Sequence, residues 1–250
     1  QQYHYSSYEK AEKYLKKITN DTIYKVVKVS ERKSNRKSSP PFTTSTLQQD
    51  ASTKLRFPVK KTMEVAQKLY EAGLITYMRT DSTNLSGEAL LGCKQYIEKN
   101  YGEIYHKQRT YCKKSKNAQE AHEAIRPTKL NVSEFNNLGI ECAKLYNLIW
   151  KRTVASQMAD AKINIMTISI DILNNNITLL PDNSLFVTNY ENIIFDGFLL
   201  LYNNHESDNE KGKLNIELNQ KLDYLSVKVT EEYTKPPLRY NEAGLIKFLE

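Results

Sequence analysis

Tyr77, Arg79 and Asp81 occupy alternate positions of the segment Gly73-Leu-Ile-Thr-Tyr-Met-Arg-Thr-Asp-Ser82. Read as extended chain, the segment puts all three on one face at intervals of roughly 6.6 Å. Such a row holds a nucleophile, a planar fork of N–H donors and an acceptor. A phenol that attacks a phosphodiester needs a guanidinium to grip the non-bridging oxygens and offset the charge gained in the transition state, and Arg79 can supply it. The phosphotyrosine ester so formed conserves the energy of the broken linkage, so a strand can be rejoined without ATP. With 17 tyrosines in the chain, the spacing by itself also fits Tyr77 as an ordinary residue of an amphipathic strand.

A second concentration of ionisable groups is Gln119-Glu-Ala-His-Glu-Ala-Ile-Arg-Pro-Thr128. His122-Glu123 begins the zinc-protease pattern H-E-x-x-H, but position 126 is Arg, so the two-histidine metal pair is absent and that reading fails. His122 can instead donate to a phosphate or move a proton, while Arg126 adds a cation ahead of Pro127. A histidine in a satisfied structural role fits the same residues. Lys113, Lys114 and Lys116 read as a solvated loop that adds attraction for a polyanion.

The elements that must hold these groups follow from periodicity. Ser6 or Ser7 can cap a first helix bearing Ala11, Leu15 and Ile18, and Thr22–Val29 reads as a strand. Glu31–Pro41 is charged, Ser-rich and ends in Pro-Pro, which predicts a linker. Leu47, Ala51 and Leu55 then form one helical stripe, and Met63, Ala66, Leu69 and Tyr70 a second, with Gly73 in C-cap position. Ser86 can cap a helix ending at Gly102, and another runs from Cys142 to Met158. From Ala161 the period changes to two, with a parity slip at Met166-Thr167 that predicts a β-bulge. Leu185–Tyr190, Ile193–Phe195 and Leu225–Val229 are further strand candidates before Pro236-Pro237.

With 40 % apolar residues the 250-residue chain is rich enough to bury a core, which excludes a disordered protein, and its longest apolar runs are far too short to span a membrane. Cys93, Cys112 and Cys142 offer neither a disulfide framework nor a metal knuckle. Residues 1–150 carry 26 basic against 15 acidic side chains, whereas 151–250 carry 10 against 14. A polyanion should therefore meet the first part of the chain. The opening on Gln1 without Met and the ending inside a helical pattern predict an excised piece of a longer protein.

Four blocks, Pro41-Phe-Thr-Thr-Ser-Thr-Leu-Gln-Gln-Asp-Ala-Ser52, Leu69–Ser82, Ala121-His-Glu-Ala-Ile-Arg-Pro-Thr128 and Pro236-Pro-Leu-Arg-Tyr-Asn-Glu-Ala-Gly-Leu-Ile246, resemble in order and spacing the signature blocks of type IA DNA topoisomerases of the bacterial topoisomerase I kind. The resemblance implies an α+β multidomain fold in which a mostly helical domain is inserted into a discontinuous antiparallel β arch. The implied boundaries are 1–40 for the first part of the arch, 41–160 for the helical domain, 161–235 for the second part of the arch, and 236–250 for the start of a further helical domain.

The resemblance also implies that Tyr77 forms a 5′-phosphotyrosyl link, that Arg79 holds the scissile phosphate, and that His122 and Asp81 assist. DNA contacts are implied for Arg79, Thr76, Arg126 and Gln48. Mg²⁺ is implied as cofactor, bound by an acidic TOPRIM domain outside these residues, with no metal ligand within them. The expected partner is a single-stranded segment of negatively supercoiled DNA, handled by a monomer away from membranes, in the cytoplasm or nucleoid of a bacterium, an organelle or a virus. A fragment without TOPRIM is expected to be inactive by itself. A non-catalytic DNA-binding module, or a piece of topoisomerase III or reverse gyrase, fits the same blocks less well. Gly244 departs from the Ser or Ala usual at its position, at a cost of about 1 kcal/mol inside a helix.

Overall fold

The computed structural model describes residues 7–19, 21–111, 123–131, 138–174, 177–179, 185–202, 214–223, 225–226 and 228–249. The chain is α+β and forms two compact units, the stretches of a β unit alternating in chain order with those of a helical unit.

The β unit comprises residues 1–35, 162–195 and 204–237. It opens with α1 (Tyr8–Leu15), which buries Ala11, and continues into β1 (Ile23–Arg36). Its other strands are β2 (Ala161–Asn174), β3 (Ile177–Thr178), β4 (Phe186–Phe195) and β5 (Lys221–Leu222). The sheet runs β3-β2-β1-β5, and β4 pairs antiparallel with β2.

Three expectations are corrected in this unit. β1 runs on to Arg36 through the segment expected to be a linker, because its place beside β2 gives the polar half a ladder to join, and Asn164 of β2 donates to Glu31 at 2.9 Å. Pairing with β4 runs unbroken through Met166 and Thr167, and the irregular step lies at Lys162/Ile163. The parity slip misled because adjacent Ile168 and Ser169 are both buried, so polarity does not mark one face there. Leu225 and Val229 join no strand. β1 is paired on that side by Lys221 and Leu222, and Leu225 stands fully exposed, while Val227 lies outside the described residues.

The helical unit comprises residues 36–161, 196–203 and 238–250. Thr43 caps α2 (Thr44–Asp50), accepting from the Thr46 N–H while Thr46 Oγ1 accepts from the Thr43 N–H. The expected helix continues as a wider π turn, Ala51–Leu55, closed by Arg56 in left-handed conformation before Phe57-Pro58. α3 (Val59–Glu71) follows, its first N–H accepted at 2.9 Å by Glu242, the first residue of α6 (Glu242–Leu249). α4 (Gly87–Tyr101) is capped by Ser86 and ends at Gly102, and α5 (Ile140–Ser156) packs across α3. Gly244 lies in the first turn of α6, where Asn241 Oδ1 accepts its N–H at 2.7 Å, so the full mid-helix penalty does not apply.

The main core joins Phe42, Leu47, Val65, Leu69, Ile125, Leu145 and Ile149 to Ile75 and Met78, the two residues that bracket Thr76-Tyr77. A second cluster gathers Cys93, Ile97, Val154 and Met158 with Phe198 and Leu201 of the short turn Gly197–Leu201. That turn fits closely: Gly197 has φ +51, and a Cβ there would lie 2.5 Å from the Ala159 carbonyl oxygen.

The stretch Tyr105–Tyr111 lies along the end of α5 and spends its polar groups on fastening it. Arg109 pairs with Asp160 at 2.6 Å and donates to the Ser156 and Met158 carbonyls, while Lys107 reaches Asp160 at 2.9 Å. Tyr105 donates to Asp196 and Tyr111 to the Ser156 carbonyl. Among the described residues no helix is long and apolar enough to cross a membrane.

Candidate active site

Tyr77 sits on a non-helical strap that begins where α3 ends. Gly73, with φ +69, turns the chain off the helix, a conformation that an L side chain adopts only with strain. Isolated antiparallel bridging then aligns Ile75 with Pro127. The Thr76 N–H donates to the Arg126 carbonyl at 2.9 Å, the Thr128 N–H to the Leu74 carbonyl at 3.0 Å, and the Thr76 hydroxyl to the Ala124 carbonyl at 2.7 Å.

The far end of the strap is pegged by Thr44, the first residue of α2. Its hydroxyl donates to the Met78 carbonyl at 2.8 Å and accepts the Thr80 N–H at 2.8 Å, while its own N–H donates to the Thr80 carbonyl. Beyond Thr80 the Thr83 hydroxyl donates to the Tyr111 carbonyl. The backbone on both sides of Tyr77 is thus fixed by hydrogen bonds, and Ile75 and Met78 anchor it in the core.

Against that fixed backbone the reactive side chains are open. Tyr77 is 46 % exposed, and Arg79 and Asp81 are exposed with it. Among the described residues no hydrogen bond or ion pair engages the Tyr77 hydroxyl, the Arg79 guanidinium or the Asp81 carboxylate. The Tyr77 ring is steadied by an edge contact with Tyr70, centroids 5.3 Å apart. Tyr70, expected on the buried stripe of α3, is instead exposed there, and Val65 takes the core position. The strap is held by isolated bridges, and a regular strand is not formed.

The other candidates are placed differently. Thr76 spends its hydroxyl and N–H in tying the strap to 124–126. Arg126 is half-buried, donating to Glu123 Oε2 from two nitrogens at 3.1 and 2.7 Å and to the Pro127 carbonyl. Glu123 in turn accepts the N–H of Ser86, the α4 cap, so this pair fastens the loop to α4. Gln48 is half-buried on α2, one turn beyond the Thr44 peg. His122 lies outside the described residues, as does the Lys113–Lys116 loop.

Sequence reasoning gave Thr44, Tyr70 and Glu123 no role at the site. A threonine pair ahead of an apolar helical stripe is the signal that could have marked Thr44, as a cap. Among the described residues no three of His, Cys, Asp and Glu come together as a metal site. Burial pushes the Cys93 thiol up to about 12 and raises that of Cys142, which disfavours the thiolate form of both.

All 250 residues match the family model described as DNA topoisomerase. The chain is 42 % identical over 236 residues to the DNA topoisomerase 1 type prokaryotic of Acanthamoeba polyphaga mimivirus, an overlap of 89 % of this chain and 27 % of that protein. It is 39 % identical over 259 residues to DNA topoisomerase 1 of Rickettsia felis, covering 97 % of this chain and 32 % of that one. The solved structure of full-length topoisomerase I from Thermotoga maritima superposes with a TM-score of 0.77 at 31 % identity, over 97 % of this chain and 39 % of the other. The chain therefore spans about a third of the length of these relatives.

Proposed function

The chain belongs to the type IA DNA topoisomerases of the bacterial kind, and from that premise we propose that it carries the nucleophile with which the whole enzyme relaxes negatively supercoiled DNA. The observation that supports this reading above others is the strap itself: a backbone fixed at Thr76, Met78 and Thr80 that presents an unengaged Tyr77 hydroxyl to solvent with Arg79 and Asp81 exposed beside it. A nucleophile held in one place needs less ordering to reach in-line geometry.

In the proposed step the Tyr77 oxygen attacks the phosphorus of a single-stranded segment. An O–P bond to tyrosine forms as the P–O3′ bond breaks. The tyrosyl proton passes to a base, the departing 3′ oxygen takes up a proton, and the 5′ phosphate stays on the protein. Reversal reseals the strand without ATP because the ester keeps the energy of the linkage. Arg79 holds the non-bridging oxygens. His122 and Asp81 assist proton movement, while Gln48, Thr76 and Arg126 shape the approach of the strand. Mg²⁺ would supply charge stabilisation from outside these 250 residues. The enzyme acts as a monomer on DNA, wherever the cell or virus keeps it.

The test is to incubate the full-length protein with an end-labelled single-stranded oligonucleotide and Mg²⁺, stop with SDS, digest with protease, and identify the DNA-bearing peptide. Label on Tyr77 is expected. Label on another tyrosine, or none, would overturn the assignment.

A further inference from the structure

Beside the strap, α4 and α5 enclose a cleft of about 1470 Å³. Its third wall is the strip Arg126–Asn131, which is held in place by the Tyr146 hydroxyl donating to the Lys129 carbonyl at 2.9 Å and Trp150 Nε1 donating to the Leu130 carbonyl at 3.0 Å. These bonds use the polar tips of Tyr146 and Trp150, so what Trp150 offers the cleft is ring surface, and the Tyr96 ring packs edge-on against it with centroids 5.5 Å apart. The hydrogen-bonding capacity comes from the exposed amides Gln95, Asn131 and Asn147, none of which has a partner among the described residues. Lys99, Lys129 and Arg126, the last paired with Glu123, line the walls, and Glu88 is the one carboxylate among the described lining residues.

This combination has a chemical signature. Ring faces accept stacked bases of any identity, side-chain amides pair with base edges, and lysines follow phosphates. The volume exceeds the roughly 300–1,000 Å³ of sites that enclose one small molecule, which suits a run of chain rather than a monomer. The location fits as well, because the strip that forms the third wall is the one bonded to Leu74 and Thr76, next to Tyr77.

We propose that the α4–α5 cleft takes two or three unpaired nucleotides of the same DNA strand that Tyr77 cleaves, stacking their bases on Tyr96 and Trp150 and reading them with Asn147 and Gln95. The proposal rests on the function assigned to Tyr77 and adds a second holding point for the strand.

The experiment uses the full-length protein, oligonucleotides carrying 5-iododeoxyuridine at successive positions, and near-ultraviolet crosslinking followed by peptide mapping. Crosslinks to Tyr96 or Trp150 are expected from one or two adjacent positions. Asn147→Asp, an exposed and nearly isosteric change that puts a carboxylate in the cleft, should remove those crosslinks and weaken oligonucleotide binding about fivefold while leaving the melting temperature unchanged. Crosslinks confined to other residues, or unchanged affinity in Asn147→Asp, would overturn the proposal, including the case in which a peptide or another ligand fills the cleft. Either outcome with the Tyr77 adduct still forming would leave the cleavage assignment standing, whereas loss of the wild-type adduct would strike that assignment instead.

Discussion

The Tyr77 strap and the stretch Tyr105–Tyr111 are both irregular segments laid across the helices of one unit, and they use their polar groups in opposite ways. In 105–111 the side chains do the fastening. Arg109 and Lys107 converge on Asp160, which is 11 % exposed, and Tyr105 and Tyr111 spend their hydroxyls on Asp196 and Ser156. Burial alone would raise the Asp160 carboxyl, but Lys107 and Arg109 hold it below its ordinary value. In the strap, backbone groups and threonine hydroxyls do the fastening, and the phenol, the guanidinium and the carboxylate are left over. A charged group consumed by partners maintains structure, while a free one on a fixed backbone is available for chemistry.

Changes to the strap's free groups should therefore cost activity and leave stability alone. Tyr77→Phe keeps the ring and its contact with Tyr70 and loses only the nucleophilic oxygen. Adduct formation by the full-length enzyme should fall below detection, at least about 10⁴-fold, with single-strand affinity and melting temperature retained. Residual SDS-resistant adduct would show that another group attacks. Arg79→Lys should cost about 10²- to 10³-fold in single-turnover cleavage, since an ammonium cannot make the two-pronged phosphate contact worth about 2.7–4 kcal/mol in comparable sites. Wild-type rates would remove Arg79 from the reaction.

The reverse pattern is expected at Asp160. Asp160→Asn should lower stability by about 2 kcal/mol at neutral pH while per-molecule cleavage stays within about twofold. Because the folded carboxyl titrates below its unfolded value near 3.9, its contribution is fully present above that pH and is lost as pH falls through the lower folded value. Urea midpoints of wild type and variant should converge as pH falls through the folded value. A constant gap from pH 7 down to that point would mean that the ion pair is not its source.

What could be read from the chain in advance divides along the same line. The caps of α4 at Ser86 and Gly102 depend on residues a few positions apart, so side-chain chemistry revealed them. The family blocks pointed to Tyr77 directly. The fastenings were not legible. Thr44 reaches Met78 and Thr80 across more than thirty residues, and Glu242 meets Val59 across 183. Tyr70 has the spacing of a core residue and is drawn out to Tyr77 instead, and β1 outruns its own polarity because β2 lies alongside it. Each is decided by a partner brought close only in the folded chain.

Thr44 offers the finest test of the contrast, because it is a fastening group placed directly under the reactive one. Thr44→Val preserves shape but leaves the Met78 carbonyl and the Thr80 N–H without the hydroxyl that joins them. The Thr44 N–H to Thr80 carbonyl bond survives, so the strap should loosen without detaching. The loss in stability should be about 1 kcal/mol, that of a partly buried hydroxyl network with some access to water. Cleavage should drop about three- to tenfold, because Tyr77 then spends less time in line with the phosphorus. Thr44→Ser, which keeps the hydroxyl, should restore most of the rate, separating the hydrogen bonds from any effect of the methyl group on the start of α2. A Thr44→Val enzyme that loses stability yet cleaves at the wild-type rate would show that the strap's rigidity has no bearing on the chemistry.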